Sequence, residues 1–152
     1  MLLCIFLGEL RVTFKFDSVL KSGIKLYISL NNEMEGFMRP IAERFKALSD
    51  PNRLRILMML KTKPLCVCEI SAILRLANST VSKHLSILRQ AGFIVDEKDG
   101  RWVNYRLATA QESPEAISLL PQISTWLGDE NLIQSDQTKL VTIDRVTICQ
   151  VD

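Results

Sequence analysis

The chain has 152 residues, enough for one domain with a real core. Its 47% hydrophobic and 24% charged content is ordinary for a soluble globular protein, and no apolar run is long enough to cross a membrane. The formal net charge is only +2, but residues 39–108 hold thirteen lysines and arginines against six acidic residues, whereas the segment after Ala108 holds two against seven. A basic middle points to a polyanionic partner.

The first 37 residues read differently from the rest. Met1 to Leu7 is apolar, but it lacks a positive flank and meets Glu9 and Arg11 too soon for a secretory signal. Val12, Phe14 and Phe16 alternate with polar residues, the pattern of a short strand. Two alternatives stand for this segment: translation starts at Met34 or Met38, or it is a genuine extension, disordered and carrying Cys4.

Helical signals begin at Arg39. Ile41, Phe45 and Leu48 share one helix face. Asp50 is placed to cap a second helix that starts at Pro51, with Leu54, Leu57, Met58 and Leu60 as its apolar stripe. After Pro64, Ile70, Ile73 and Leu74 mark a third helix. A tight turn at Ala77-Asn78 follows, and Asn78 or Ser79 caps a fourth helix with Val81, Leu85 and Leu88 on its buried face. That helix closes at Ala91-Gly92. Phe93 to Val95 and Trp102 to Leu107 flank Asp99-Gly100, a hairpin signal. A helix, a short turn, a capped second helix and a hairpin together read as a winged helix-turn-helix, mostly α with a β-hairpin wing. Residues 114–127 give one further apolar helix face, which Pro121 kinks or breaks. The chain is then polar to Leu140, and Val141, Ile143, Val146 and Ile148 have no assigned place.

The fourth helix carries the DNA-reading residues. With Val81, Leu85 and Leu88 buried, Ser79, Thr80, Ser82, Lys83, Ser86 and Arg89 face outward. Short hydroxyls allow close approach to base edges and phosphates, and the two cations and the helix N-terminus favour phosphate. His84 is either a base or phosphate contact or a half-buried histidine under the wing. Lys98 and Arg101 at the wing tip suit the minor groove or its phosphates. No nucleophile–base pair, phosphate loop or metalloenzyme motif is present, so no enzyme is expected.

Cys66-Val67-Cys68-Glu69 precedes this helix. The four cysteines are too unevenly spread for a disulfide framework and fit a reducing cytoplasm. Residues i and i+2 lie on different sides of a helix. Cys66 and Cys68 therefore share one soft, thiophilic ion only if the stretch after Pro64 is extended or frayed. A helix N-terminus and nearby Lys63 are expected to favour the thiolates. The bland alternative is a pair of buried small hydrophobes.

From Ala42 to Leu107 the chain closely resembles the ArsR/SmtB family of winged-helix metal-sensing repressors. The carrying residues are Phe45 to Leu57, Leu65-Cys66-Val67-Cys68-Glu69-Ile70, Ser79 to Leu85, and the wing ending in Trp102 to Leu107. The resemblance implies a homodimer that binds double-stranded, palindromic operator DNA and releases it when a metal or metalloid binds. It also implies dimer contacts from the first and last helices of the domain, about 40–48 and 114–127. One sensor class in the family uses histidines and carboxylates on the C-terminal helix, and no histidine follows His84 here. Another uses a cysteine pair at the start of the third helix, which Cys66 and Cys68 match, and this makes arsenite or antimonite the expected inducer, with no constitutive cofactor. The arsenite-responsive members often carry a third cysteine where this chain has Ser71. The third ligand is therefore Cys149, Cys4, a small thiol or water. Cys149 is preferred, because it lies close to the dimerising segment and can reach across subunits. Two other functions share the scaffold: a thiol-based redox or reactive-sulfur sensor, and a cadmium or lead sensor. The expected organisation is an N-terminal extension over 1–37, a DNA-binding and dimerisation domain over 38–128, and a C-terminal tail over 129–152.

Overall fold

The computed structural model describes residues 38–100 and 102–149, and leaves the side chain of Val146 undescribed. The strand expected around Val12 to Phe16, Cys4, and Arg101 lie outside the described residues. By its contacts the chain divides into residues 1–41 and 42–152. Of the first unit, residues 38–41 are helical.

In the second unit, α1 covers residues 42–48. Asp50 then caps α2 (Pro51–Leu60) by accepting the Arg53 amide at 3.1 Å, with Pro51 where a missing N–H costs nothing. Arg53 returns to α1 and donates to the Lys46 carbonyl at 2.9 Å. Sequence periodicity did not suggest β1 (Leu65–Cys66), a two-residue strand directly ahead of α3 (Val67–Leu74). α3 ends at Arg75, which takes a left-handed conformation (φ 56°), and the chain turns into α4 (Asn78–Gln90). The expected side-chain cap of α4 is absent: Ala77 occupies the N-cap position and Asn78 is already helical. At its far end, Gly92 (φ +81°) donates to the Arg89 carbonyl at 3.0 Å and Phe93 to the Leu88 carbonyl at 3.0 Å, a Schellman stop.

The wing is β2 (Ile94–Asp99) and β3 (Trp102–Leu107), antiparallel from Ile94 opposite Leu107 to Asp99 opposite Trp102. Gly100 (φ +59°) follows directly on the last residue of β2, where the left-handed backbone favours glycine. β1 pairs with the outer edge of β3, Leu65 opposite Tyr105 and Cys66 opposite Asn104, giving a three-stranded sheet of order β1-β3-β2.

The stretch 114–127 is two helices, α5 (Pro114–Ile117) and α6 (Leu120–Leu127). Pro121 lies in the first turn of α6, where its missing N–H costs no bond within that helix. The segment after Gly128, expected as a tail, folds as α7 (Asn131–Thr142) and α8 (Arg145–Ile148). α7 packs on α2 and α3, and α8 on α3. Leu140 joins the main core beside Ile56, Leu65, Ile70, Leu85 and Phe93, while Ile133 packs with Met58 and Ile123. Among the described residues, no helix is long and apolar enough to cross a membrane.

Candidate thiol centre and nucleic-acid interface

Cys66 closes β1 and is the N-cap residue of α3, in an extended conformation (φ −87°, ψ 168°). Cys68 is the second helical residue. The break between strand and helix therefore falls between them, and it removes the helical constraint that would send the two thiols apart. Their sulfurs lie 2.8 Å from one another. Cys149, just past α8, brings its Sγ to 3.3 Å from that of Cys66 and is disulfide-bonded to Cys68. All three sulfurs lie within 4.8 Å of one another. Cys149 meets the pair within its own chain.

Two residues that the sequence reading left without a role hold this arrangement. Glu69, only 2% exposed, accepts the Cys66 amide at 2.8 Å and the Arg145 guanidinium at 2.8 and 3.2 Å. Burial opposes ionisation of Glu69, but the Cys66 amide and then Arg145 outweigh it and hold the carboxyl below its ordinary value. The first of these contacts was visible in outline: Glu69 stands three residues after the N-cap position, the spacing of a capping box. Arg145 had no such signal.

The expectation of an activated thiolate at Cys66 is not met. Burial pushes the Cys66 thiol up, and the neighbouring Glu69 carboxylate adds to this. The Glu69 amide, and with less effect Arg145, work in the opposite direction without offsetting the rise. Chemically, three convergent sulfurs are a soft donor set when reduced, and a bonded pair beside a free thiol when oxidised.

α3 packs on α4, so the thiol centre sits behind the helix read as the DNA-contacting one. On α4, Ser79, Ser82 and Lys83 are exposed, and Thr80 and Ser86 are half-buried. No side chain caps the first turn of α4; the Thr80 amide donates to the Ala77 carbonyl at 2.9 Å, and the Asn78 and Ser79 amides ahead of it are placed to favour an anion. His84 is half-buried and turned toward Asp50, with Nδ1 at 3.7 Å from the carboxylate and no hydrogen bond. Arg89 is exposed but paired with Asp96 of β2 at 2.8 Å. Arg106 is held by Glu97 at 2.6 Å and by Glu112 at 2.9 Å. Much of the basic excess is thus engaged inside the protein. Among the described residues, Lys83 and Lys98 are exposed lysines on α4 and the wing without an ion-pair partner.

Residues 50–95 match the family described as bacterial regulatory protein, arsR family. The arsenical resistance operon repressor of Escherichia coli (strain K12) is 41% identical over 73 residues, 47% of this chain and 62% of that one. The arsenic resistance transcriptional regulator ArsR2 of Pseudomonas putida is 36% identical over 94 residues, 58% of this chain and 80% of that one. The fold is also that of the homodimeric winged helix-turn-helix DNA-binding domain of Mb0332 from Mycobacterium bovis, with a TM-score of 0.52 at 24% identity over 62% of this chain and 86% of that one. The chain thus spans less than two thirds of the length of the first of these relatives. A third of the residues shared over four-fifths of a relative, on a matching winged-helix fold, places the chain in the arsR family of bacterial regulatory proteins.

Proposed function

We propose that this chain is a repressor that binds double-stranded operator DNA as a homodimer and releases it when arsenite or antimonite is taken up by Cys66, Cys68 and Cys149. The observation that carries the reading is the convergence of three sulfurs at the first turn of α3. Thiolates are soft ligands, and a trivalent arsenic or antimony centre can exchange three hydroxyls for three of them. The names of the two arsenic-resistance relatives point to the same inducer class.

The path from thiols to DNA is short. Drawing three sulfurs onto one centre resets the boundary between β1 and α3. α3 packs on α4, and β1 is paired with β3 of the wing, so both DNA-facing elements rest on the segment that moves. Ser79, Thr80, Ser82 and Ser86 are assigned to base edges and phosphates, and Lys83, Arg89, Lys98 and Arg101 to phosphates. Arg89 reaches DNA by exchanging Asp96 for phosphate. His84 is assigned to orienting α4 against Asp50 ahead of any base contact. Reversing operator occupancy from 99:1 to 1:99 requires the inducer to favour the released state by about 5.5 kcal/mol. The homodimer is supported by two large apolar side chains left in water on the first and last helices of the winged domain, Phe45 at 58% and Trp126 at 70% exposure.

Operator binding measured under strong reductant, with arsenite, antimonite, cadmium, lead and bismuth in turn, tests the reading. Release by arsenite or antimonite is expected, and its loss in Cys66→Ser and Cys68→Ser. If both variants stay fully inducible, the thiol centre is not the sensor.

The Cys68–Cys149 disulfide favours a second reading, a redox-sensing repressor. Two thiols then close to a disulfide, and two electrons and two protons pass to an oxidant. Release by a peroxide alone, abolished in Cys149→Ser, together with no response to arsenite under reductant, selects this reading over the first.

A further inference from the structure

We infer that Arg145 is a positioning residue for the thiol centre: through Glu69 it holds α8 against the first turn of α3 and so delivers Cys149 to Cys66 and Cys68. The inference rests on the three-thiol reading above. Its basis is a single carboxylate oxygen. Glu69 Oε2 accepts the Cys66 amide at 2.8 Å, Arg145 Nη2 at 2.8 Å and Arg145 Nε at 3.2 Å. Glu69 is buried, so this charge-assisted contact does not compete with bulk water.

Arg145 and Cys149 are one helical turn apart. The Cys149 amide donates to the Arg145 carbonyl at 2.9 Å, so both side chains leave the same side of α8. α3 offers the matching pair in the reverse order, with Cys66 at the N-cap position and Glu69 three residues on. α8 is thus held at two points, by the Glu69–Arg145 ion pair and by the Cys149 sulfur, which is bonded to Cys68 in this structure and has only the ion pair to place it once reduced. It has only four residues, and a helix that short does not hold its own shape in water. Without the ion pair, the third thiol sits on a loose end and its effective concentration at the other two falls. Glu69 also ties the Cys66 backbone to the same hub, so one buried carboxylate sets the spacing of two of the three sulfurs.

Partners that orient a ligand without touching the ion typically set affinity by about 10- to 100-fold, and that is the loss expected here. The test uses the full reduced chain in a Cys4→Ser background, titrated with arsenite. It reads arsenite affinity and the number of thiols that bound arsenite protects from a thiol reagent. The parent is expected to protect three thiols. Arg145→Ala is expected to protect two and to bind about 10- to 100-fold more weakly. Arg145→Lys recovers part of both losses, and Glu69→Gln behaves like Arg145→Ala. If Arg145→Ala loses its thermal transition, Arg145→Gln, which keeps length and a donor, answers the same question. Three protected thiols and parental affinity in Arg145→Ala, with both lost in Cys149→Ser, overturn the positioning role and leave the three-thiol reading standing. A parent that protects no more thiols than Cys149→Ser removes that reading and the inference with it.

Discussion

Glu112 shows how single contacts fix the wing to the body of the domain. Its carboxylate takes Arg106 at 2.9 and 3.1 Å and the Thr109 amide at 2.8 Å. Arg106 first, and the Thr109 amide second, lower the Glu112 carboxyl from 4.5 to about 2. Its folded value lies below its unfolded one, so whatever this contact contributes is present above pH 4.5 and is lost as pH falls through about 2. A carboxyl-carbon NMR titration is expected to place the Glu112 midpoint near 2 and to return it toward 4.5 in Arg106→Gln. Gly92 is the other residue whose identity the backbone dictates. A β-carbon there would stand 2.5 Å from Ser113 Oγ, on a residue already at φ +81°. Gly92→Ala is expected to cost at least about 1 kcal/mol in denaturant unfolding, and an unchanged midpoint would contradict that. The stop at Gly92 was legible in the sequence, because Gly after a periodic run is a local signal. The Glu112 contact was not, because it joins a strand to a loop through side-chain geometry alone.

At the scale of elements, the informative one is α7. Its composition is polar and its periodicity weak, so the sequence reading made it a tail. What seats it is one buried ion pair: Asp136, 1% exposed, takes Arg55 of α2 at 2.7 and 2.9 Å, with Lys139 at 3.7 Å. Such a pair fixes where a helix docks more than it adds net stability, but removing one partner leaves a charge stranded. Arg55→Ala is therefore expected to destabilise the fold by about 3 kcal/mol, somewhat offset by Lys139. Asp136→Ala should cost less, because Arg55 can turn to water. Equilibrium unfolding of both variants checks the order. α7 matters for the proposed function because α8 and Cys149 follow it. A chain that lets go of α7 is expected to lose the third thiol as well. β1 escaped the sequence for a related reason: two residues are too few to show a period, and only their pairing with β3 makes them a strand.

For the whole molecule, the separation between a thiol side and a DNA side decides what variants should do. Lys83 and Lys98, assigned to phosphate in the proposed function, lie on α4 and the wing without an ion-pair partner among the described residues. Lys83→Ala is expected to weaken binding about equally across sequences and to lower the magnitude of the log–log salt slope by about 1 per half-site. Arg106→Ala, whose cation is engaged with Glu97 and Glu112, is expected to leave the slope nearly unchanged. Salt titrations of operator binding distinguish the two. The exposed Phe45 and Trp126 make a separate prediction. Phe45→Glu or Trp126→Glu should shift sedimentation toward monomer and weaken operator binding by tenfold or more, because large aromatic anchors dominate such interfaces. A dimer of unchanged affinity in both variants would place the interface elsewhere.

The sequence by itself determined what is local. The Asp50 cap, the Gly92 stop and the apolar periods fixed α2 to α4 and the wing, since each depends on residues within about one turn of one another. The cysteine pair and the outward face of α4 were legible on the same grounds. The tertiary structure decided what depends on distance along the chain: which cations are spent on Asp96, Glu97, Glu112 and Asp136, that His84 turns to Asp50, and that residues 131–149 return to the first turn of α3. The Cys149 sulfur lies 3.3 Å from that of Cys66 across 83 positions of sequence, carried there by a buried arginine–aspartate pair and a second pair at Glu69. No period or motif encodes such a meeting, because it depends on two helices finding complementary charges on a core that must form first.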